Sequence, residues 1–421
     1  MKKEANLMST ERIIESEPWL VDVLPASQCI PEIKSDLFLH AGPPIGVDEL
    51  PEPTRYAIGG AQVYEGSADT VEIGIDRLRR GEVTISSAHD HGAIAPMTGI
   101  VTPSMPMFVI ENRTFGNKAY TNINEGVGKT KTLRFGAFDR DVLARLNWMR
   151  DVLAPSLRNA IRSSGGINLR QIIAEAVRRG DECHNRNKSA SLIFFQKAAI
   201  SLSKAGYGAT ALHDVLQFIG GNEHFFLNLS MAAAKASLDA GHGVKGSSIV
   251  TAMSANGKDF AIRVSGLGSG RPPYTWFRSG VPAVRGKYFE PYSAKDACPI
   301  LGDSFAAECT GLGAFALAAA PAMTEFVGGT ISWANEITKR MYRITTMEHS
   351  YYKIPYLAYR GVPTGISIGK VLARGLMPVM DVGIAHRSAG IGQIGAGLFR
   401  APKGCFRAAG DAFESAFGRR P

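Results

Sequence analysis

The sequence predicts a mixed α+β protein of several domains, two of them α/β with a small helical domain between. Three observations carry this. The 421 residues exceed the size at which one hydrophobic core usually stops growing. An apolar fraction of 45% and a charged fraction of 20% are those of a chain that buries a core throughout. The hydrophobic spacing also changes along the chain, from mixed helix and strand to helical and back to mixed.

Residues 1–16 are polar and read as a leader or frayed helix, so the first domain is drawn over 17–140. Within it, 68–80 has helical spacing (Val71, Ile73, Ile75, Leu78) and stops at Gly81, after which 83–87 and 107–110 read as strands with polar residues at their ends. From 141 to 216 the pattern is helical, in runs 142–161 and 167–179 and a further one through Phe195 and Leu202. The last domain, 217–421, begins with an amphipathic helix over 222–240. A hairpin follows, in which 248–253 and 259–265 flank the turn pair Asn256-Gly257. Beyond it come a small-residue helix over 303–320, another over 366–374, a buried strand over 377–385 and a closing helix over 406–417. No fixed-period repeat or low-complexity tract is present.

Charge narrows the partners. The excess of 47 Lys and Arg over 38 Asp and Glu gives +9, but the basic residues are scattered and carry no reading motif, which argues against nucleic acid and for a small anionic substrate. Five cysteines without a CxxC pair exclude a disulfide scaffold or a zinc-type cysteine site and fit a reducing, cytoplasmic setting. The start lacks an apolar signal core, and the most apolar stretch, 309–324, is shorter than the roughly 20 residues a membrane span requires, so no membrane partner is expected.

Three polar clusters stand out. His89-Asp90-His91 follows one strand and Glu111-Asn112 ends the next. In an extended segment the two histidines face the same side and could share a metal ion, or one could serve as an acid or base near pH 7; they could equally satisfy carbonyls in a turn. The run 180–187, with His184, Asn185, Arg186 and Asn187, interrupts a helical region and could gather a ligand or form an inter-domain polar network. The third cluster, Asn222, His224 and Asn228, opens the long helix, whose unpaired N–H groups favour an anion, although Asn222 could simply cap it.

Two glycine-rich loops add candidates. Ser265 opens the first, 265–271, which could wrap an anion but runs into Pro272-Pro273 and so cannot begin a dinucleotide-binding helix. The second, 390–395, matches GxGxxG after His386-Arg387 yet has no βαβ unit downstream, so an anion nest beside Arg387 is preferred. Glu308 is the one charge between Asp303 and Glu325; if buried it must be paired or protonated, as a base, an orienting group or a structural ion pair. No GxSxG or Walker A motif is found, and no cofactor is expected.

The runs LFLHAGPPI (37–45), FVIENRTFGNKAYTNINEG (108–126), GDECHNRN (180–187), FIGGNEHFFLNLSMAAAKA (218–236), DSFAAECTGLGAFALAAAPA (303–322) and GIAHRSAGIGQIGAG (383–397) resemble the YlbE/YahG family, in order, over about 17–420. The resemblance implies two unusual α/β domains with a small helical one. It also implies a subunit of a multi-subunit oxamate carbamoyltransferase of anaerobic allantoin breakdown, working beside an FdrA-like subunit and a further small subunit in a homo- or hetero-oligomer. Such an enzyme exchanges a carbamoyl group between oxalurate and phosphate. The Ser-x-Arg-Thr-Arg phosphate loop of ordinary transcarbamylases is absent, so other groups must serve. The expected proton acceptors are His89, His91, His184 or His224, with Glu111 and Glu308 also in the catalytic set. Asn112, Asn185 and Asn228 would stabilise an oxyanion, Arg186 and Arg387 would grip phosphate or carboxylate, and Asn187, Asn222, Ser265 and His386 would complete binding. Two rivals remain: a metal-dependent hydrolase built on His89 and His91, and a non-catalytic ligand-binding scaffold for the FdrA-like partner.

Overall fold

The computed structural model describes residues 2–126, 131–204 and 208–421. It is a mixed α+β architecture of several small sheets and more than one domain, with no barrel. The N-terminal part holds a four-stranded antiparallel sheet ordered Lys118–Asn122, Pro106–Asn112, Pro18–Pro25, Ile167–Asn168, and a three-stranded sheet in which Leu37–His40 pairs in parallel with Thr84–Ser87 and antiparallel with Ile100–Val101. The C-terminal part holds a four-stranded sheet (Phe277–Gly280, Asp259–Val264, Val250–Asn256, Leu301–Gly302), a three-stranded sheet (Arg285–Tyr288, Gln393–Arg400, Val379–Ala385) and the pair Thr345–Ile354 with Arg360–Ile366.

The expected hairpin forms as Val250–Asn256 against Asp259–Val264, and Gly257 at its turn takes φ +91, a conformation open to glycine at no steric cost. The helices Val71–Arg79, Leu169–Arg178, Lys188–Ser203 and Lys403–Phe417 also fall where the spacing places them. Thr70 caps the first of these by accepting the Ile73 N–H at 3.2 Å, and Asn168 caps the second by accepting the Gln171 N–H at 3.0 Å.

Three expectations change. Of the two readings of residues 1–16, leader or frayed helix, a helix forms over Lys2–Glu15, but it is anchored: it buries Ile13 and Ile14 and is tied down by Ser248, whose N–H donates to Asn6 Oδ1 at 2.7 Å; Met1 lies outside the described residues. The 303–320 segment is no single helix but the short turns Ala306–Cys309 and Gly313–Ala319, because Gly311 and Gly313 take φ of +89 and +56, which a right-handed helix cannot contain. The long helix Phe225–Ala240 is buried on all sides rather than amphipathic. Its alanines at 232–234 and 236 let neighbouring elements come close, and its buried polar residues Asn228 and Lys235 are bonded to Asn122 and Asp239.

That central helix packs against both N-terminal sheet strands Pro106–Asn112 and Lys118–Asn122, the hairpin strand Val250–Asn256 and the turn Ala306–Cys309. At its start Phe225 stacks on Phe194 with ring centroids 5.3 Å apart and meets Phe108 edge-on at 6.1 Å. Each such buried ring contributes about 1.5–3 kcal/mol, so the helix entrance is firmly held. His224, the residue before it, is thereby fixed at the helix entrance.

Candidate active site

Distant segments converge on one inner cleft of about 30 Å³, lined by Arg134, His184, Asn185, His224, Ser304 and Gln393, among others. Asn185 and His224 also line an adjoining outer groove of about 470 Å³, bordered by Arg186, Asn187, Lys188 and Glu223. The polar loop 180–187 supplies one wall because its own backbone is pinned: the Arg186 N–H donates to Glu182 Oε1 at 2.6 Å, the His184 N–H donates to the other oxygen of the same carboxylate, and Gly313 N–H donates to the Glu182 carbonyl at 2.8 Å. Asn187 closes the loop with its Nδ2 on the His184 carbonyl at 2.6 Å.

Behind the cleft His184 turns its Nδ1 toward two buried carboxylates. Glu308 Oε1 and Oε2 lie 3.0 and 3.1 Å away, and Asp381 Oδ1 lies 2.6 Å away. Glu308 is oriented by N–H donors from Asp381 and Ala314, each at 3.1 Å. Burial alone would lower the His184 pKa, but the charges of Glu308 and Asp381 outweigh it and raise it well above the ordinary value. Burial, helped by Asp381, pushes Glu308 up to about 7 against the pull of His184, and burial with the Asp381 charge raises Glu182.

His224 sits in the opposite electrostatic setting. It is half-exposed to the cleft but deep among protein atoms, and burial together with the nearby Arg134 cation lowers it to about 4. Arg134 is itself buried, donates from Nη2 to the Gly126 carbonyl at 3.1 Å and has no partner for Nε among the described residues. One cleft therefore holds a histidine that keeps positive charge and another that stays neutral, the separation that divides acid from base roles.

Comparison with known proteins bears directly on what this cleft belongs to. A family model described as oxamate carbamoyltransferase subunit AllG matches residues 83–304. Over 394 residues the chain is 40% identical to the Escherichia coli K12 protein named oxamate carbamoyltransferase subunit AllG, covering 93% of this chain and 92% of that one. The chain belongs to the AllG family. It is likewise 40% identical to the E. coli K12 protein YahG, described as uncharacterized, over 390 residues, covering 93% of this chain and 81% of that one. It also resembles the crystal structure of a conserved protein of unknown function from Enterococcus faecalis V583, with a TM-score of 0.95 and 41% identity over 98% of each chain. The sequence resemblance to the YlbE/YahG family is thus a membership.

In this AllG-family chain the structure brings His184, Asn185 and His224 together on the cleft, Arg186 and Asn187 on the outer groove, and Glu308 directly behind His184. The other expected site residues lie elsewhere. His89 and His91 stand in the 3-10 turn Ala88–His91, not at an extended strand end, so residues two apart no longer share a side. His89 Nε2 lies 3.3 Å from Asp303, whereas His91 Nε2 bonds Ser86 Oγ at 2.9 Å. Glu111 lies in strand register opposite Trp19 and Lys118. The amide of Asn112 is spent on Ser16 Oγ at 2.9 Å and Asn117 Oδ1 at 3.1 Å, tying the N-terminal helix to the sheet.

Asn222 and Asn228 line neither the cleft nor the groove and are engaged in structure. Asn228 Nδ2 donates to the Asn122 carbonyl at 2.7 Å while its Oδ1 accepts from Asn124 at 3.0 Å, and Asn222 Nδ2 donates to the Asn124 carbonyl at 3.2 Å. Ser265 Oγ bonds the Gly241 carbonyl at 2.7 Å, and His386 Nδ1 accepts the Ser388 N–H at 2.9 Å. Arg387 is anchored by its backbone N–H on the Asp296 carbonyl at 2.8 Å. Sequence reasoning missed Arg134, Ser304, Gln393 and Asp381. Asp381 carried a usable signal: like Glu308, it is the lone charge in an apolar run, 377–385.

Proposed function

We propose that this chain is a site-forming subunit of a carbamoyltransferase-type enzyme, acting on a small anionic ureido substrate in purine and allantoin nitrogen catabolism in the cytoplasm. The exchange is oxalurate plus phosphate for oxamate plus carbamoyl phosphate, carried out with an FdrA-like partner and a further small subunit. The observation that carries this reading is the meeting of Arg134, Asn185, His224, Ser304 and Gln393 on one cleft beside the charged His184, in a chain of the AllG family.

The chemistry suits these groups. When oxamate attacks the carbamoyl carbon, a C–N bond forms, the bond to the phosphate oxygen breaks, and the amide nitrogen must lose a proton. His224, neutral at ordinary pH, is the acceptor; in the reverse direction it returns that proton to the leaving nitrogen. The carbonyl oxygen gains charge as the tetrahedral centre forms, and Asn185 and Ser304 at the cleft supply neutral donors for it. Arg134 and the positive His184 ring hold the phosphate or carboxylate. His184 is no proton acceptor in this scheme, since its Nδ1 is committed to two carboxylates.

The test is phosphorolysis of oxalurate by the purified chain, alone and with its partners, read as carbamoyl phosphate. Replacing His224 by Asn should lower kcat by about 10²–10⁴-fold with assembly intact. Turnover unchanged in that variant would favour a scaffold role, and no carbamoyl phosphate with any partner combination would remove the reaction.

A further inference from the structure

We propose that His184, Glu308 and Asp381 form a binding site for one divalent transition cation of the zinc or manganese type, with a coordination position left toward the cleft. Each of the three offers a donor atom, all three side chains are buried, and the donor atoms lie within 4.8 Å of one another. The sequence hides this set, for 124 residues separate His184 from Glu308 and 73 more separate Glu308 from Asp381.

The decisive observation is Asp381. It is fully buried, with 0% exposure; its Oδ1 meets only the shared His184 nitrogen, and no hydrogen-bond donor reaches its Oδ2 among the described residues. Its Oδ1 comes within 2.6 Å of His184 Nδ1, but that nitrogen already faces both oxygens of Glu308, and one N–H cannot serve three acceptors. A buried carboxylate oxygen without a donor is costly and is retained where a cation or a proton offsets it.

The count of donors points the same way. Two buried carboxylates, Glu308 and Asp381, face the single Nδ1 of one imidazole, so the three side chains carry more acceptor oxygens than that one ring proton can serve. Arg186 is engaged elsewhere, pairing with Asp181 at 3.3 Å. A divalent ion would serve these oxygens.

The donor chemistry narrows the ion. One imidazole nitrogen and two carboxylate oxygens suit zinc or manganese, whereas calcium and magnesium prefer oxygen alone. Cys183 and Cys309 adjoin two of the ligands in sequence but are not among the donors. Glu308 is already oriented by two backbone N–H groups and the His184 carbonyl by Asn187, the outer bonding that fixes ligand direction. Donor separations of 2.6–3.1 Å are tighter than the roughly 3.4 Å implied by tetrahedral bonds of about 2.1 Å. Loss of the His184 ring proton on binding would remove the contact that draws Asp381 Oδ1 to 2.6 Å and let the donors separate. Three protein ligands leave a place for water or a substrate oxygen, and His184, Val382 and Gly383 form the adjacent cleft wall.

The ion would displace the His184 proton and take over the positive charge that the proposed function gives that ring; the test itself uses no substrate. The full chain, stripped with chelator and dialysed, is titrated by calorimetry with ZnCl₂ and MnCl₂, with MgCl₂ as the control. One of the two transition ions should bind at one per chain and raise Tm. Asp381→Asn, which keeps the shape and removes the charge, should bind it at least about tenfold more weakly with an unchanged circular dichroism spectrum. Because that variant could fold poorly, the wild type loaded with Co²⁺ gives a second reading: visible bands of a nitrogen and oxygen site without a thiolate charge-transfer band. Absence of stoichiometric binding by the folded wild type, equal affinity in the variant, or a thiolate band overturns the site. A chain that binds the ion but never yields carbamoyl phosphate would keep this inference and lose the proposed reaction.

Discussion

His184 Nδ1 stands 3.0 Å from Glu308 Oε1, and the space that the Glu308 carboxylate fills is left open by the missing side chain of Gly313. With φ +56, a Cβ at Gly313 would lie 2.3 Å from Glu308 Oε1 and 2.6 Å from its Cδ, so any side chain there drives the carboxylate off its partner. Both the left-handed backbone and the overlap are costly, at about 1–3 kcal/mol each.

Gly313→Ala should therefore destabilise the chain by more than Gly165→Ala, where φ is +73 but nothing lies within 4 Å of the added Cβ. Urea unfolding of the two variants isolates the clash from the backbone strain. Equal losses would mean that Glu308 can move aside freely, and the buried cluster would not be the rigid unit described here.

Much of the fold was legible in the sequence because local rules governed it. The hairpin at Asn256-Gly257 needs only a turn residue that accepts φ +91 between two apolar runs. The site was legible in part. His184, Asn185, His224 and Glu308 stand out as polar groups in apolar or helical surroundings, a local signal. Arg134 and Gln393 carry no such mark, since what makes them site residues is a meeting of distant segments. The opposite error arose at Asn112 and Asn228, where dense polar sequence reflects structural bonding: their amides satisfy backbone and side-chain groups that the packed central helix would otherwise strand. His89 and His91 were misread through period, an extended segment being assumed where a 3-10 turn forms.

A second buried ionic group makes a stability prediction unconnected with the cleft. Asp239 accepts from Lys235 Nζ and from Arg263 Nη2, two cations each with 1% side-chain exposure, and Arg263 also lies 4.0 Å from the Tyr274 ring centroid. Asp239→Asn leaves both cations buried without a counter-charge and should cost about 3–5 kcal/mol. Lys235→Met removes one cation, fills similar volume and leaves the Arg263 pair intact, so its cost should be smaller. Denaturant midpoints decide the order; a reversed ranking would show that Asp239 is not what holds the two cations inside.

His349 carries the pH prediction. Its Nδ1 accepts the N–H groups of Tyr351 at 3.2 Å and Tyr352 at 3.3 Å, and its ring stacks on Tyr352 at 3.8 Å, so the folded chain requires it neutral. Burial, with added repulsion from Arg170 and Lys353, lowers its pKa to about 3. The unfolded chain, with histidine near 6.5, takes up this proton first as pH falls. The stabilisation is therefore complete above about pH 6.5 and is lost progressively toward pH 3, at about 1.4 kcal/mol per unit for a single proton. His349→Asn keeps an acceptor for the two N–H groups and removes the titration. Between pH 6 and 4 its stability curve should be shallower than the wild type by about that slope, while His224 and His242, also lowered by burial, leave a residual acid limb in both proteins. Parallel curves over this interval would place the proton uptake on other groups.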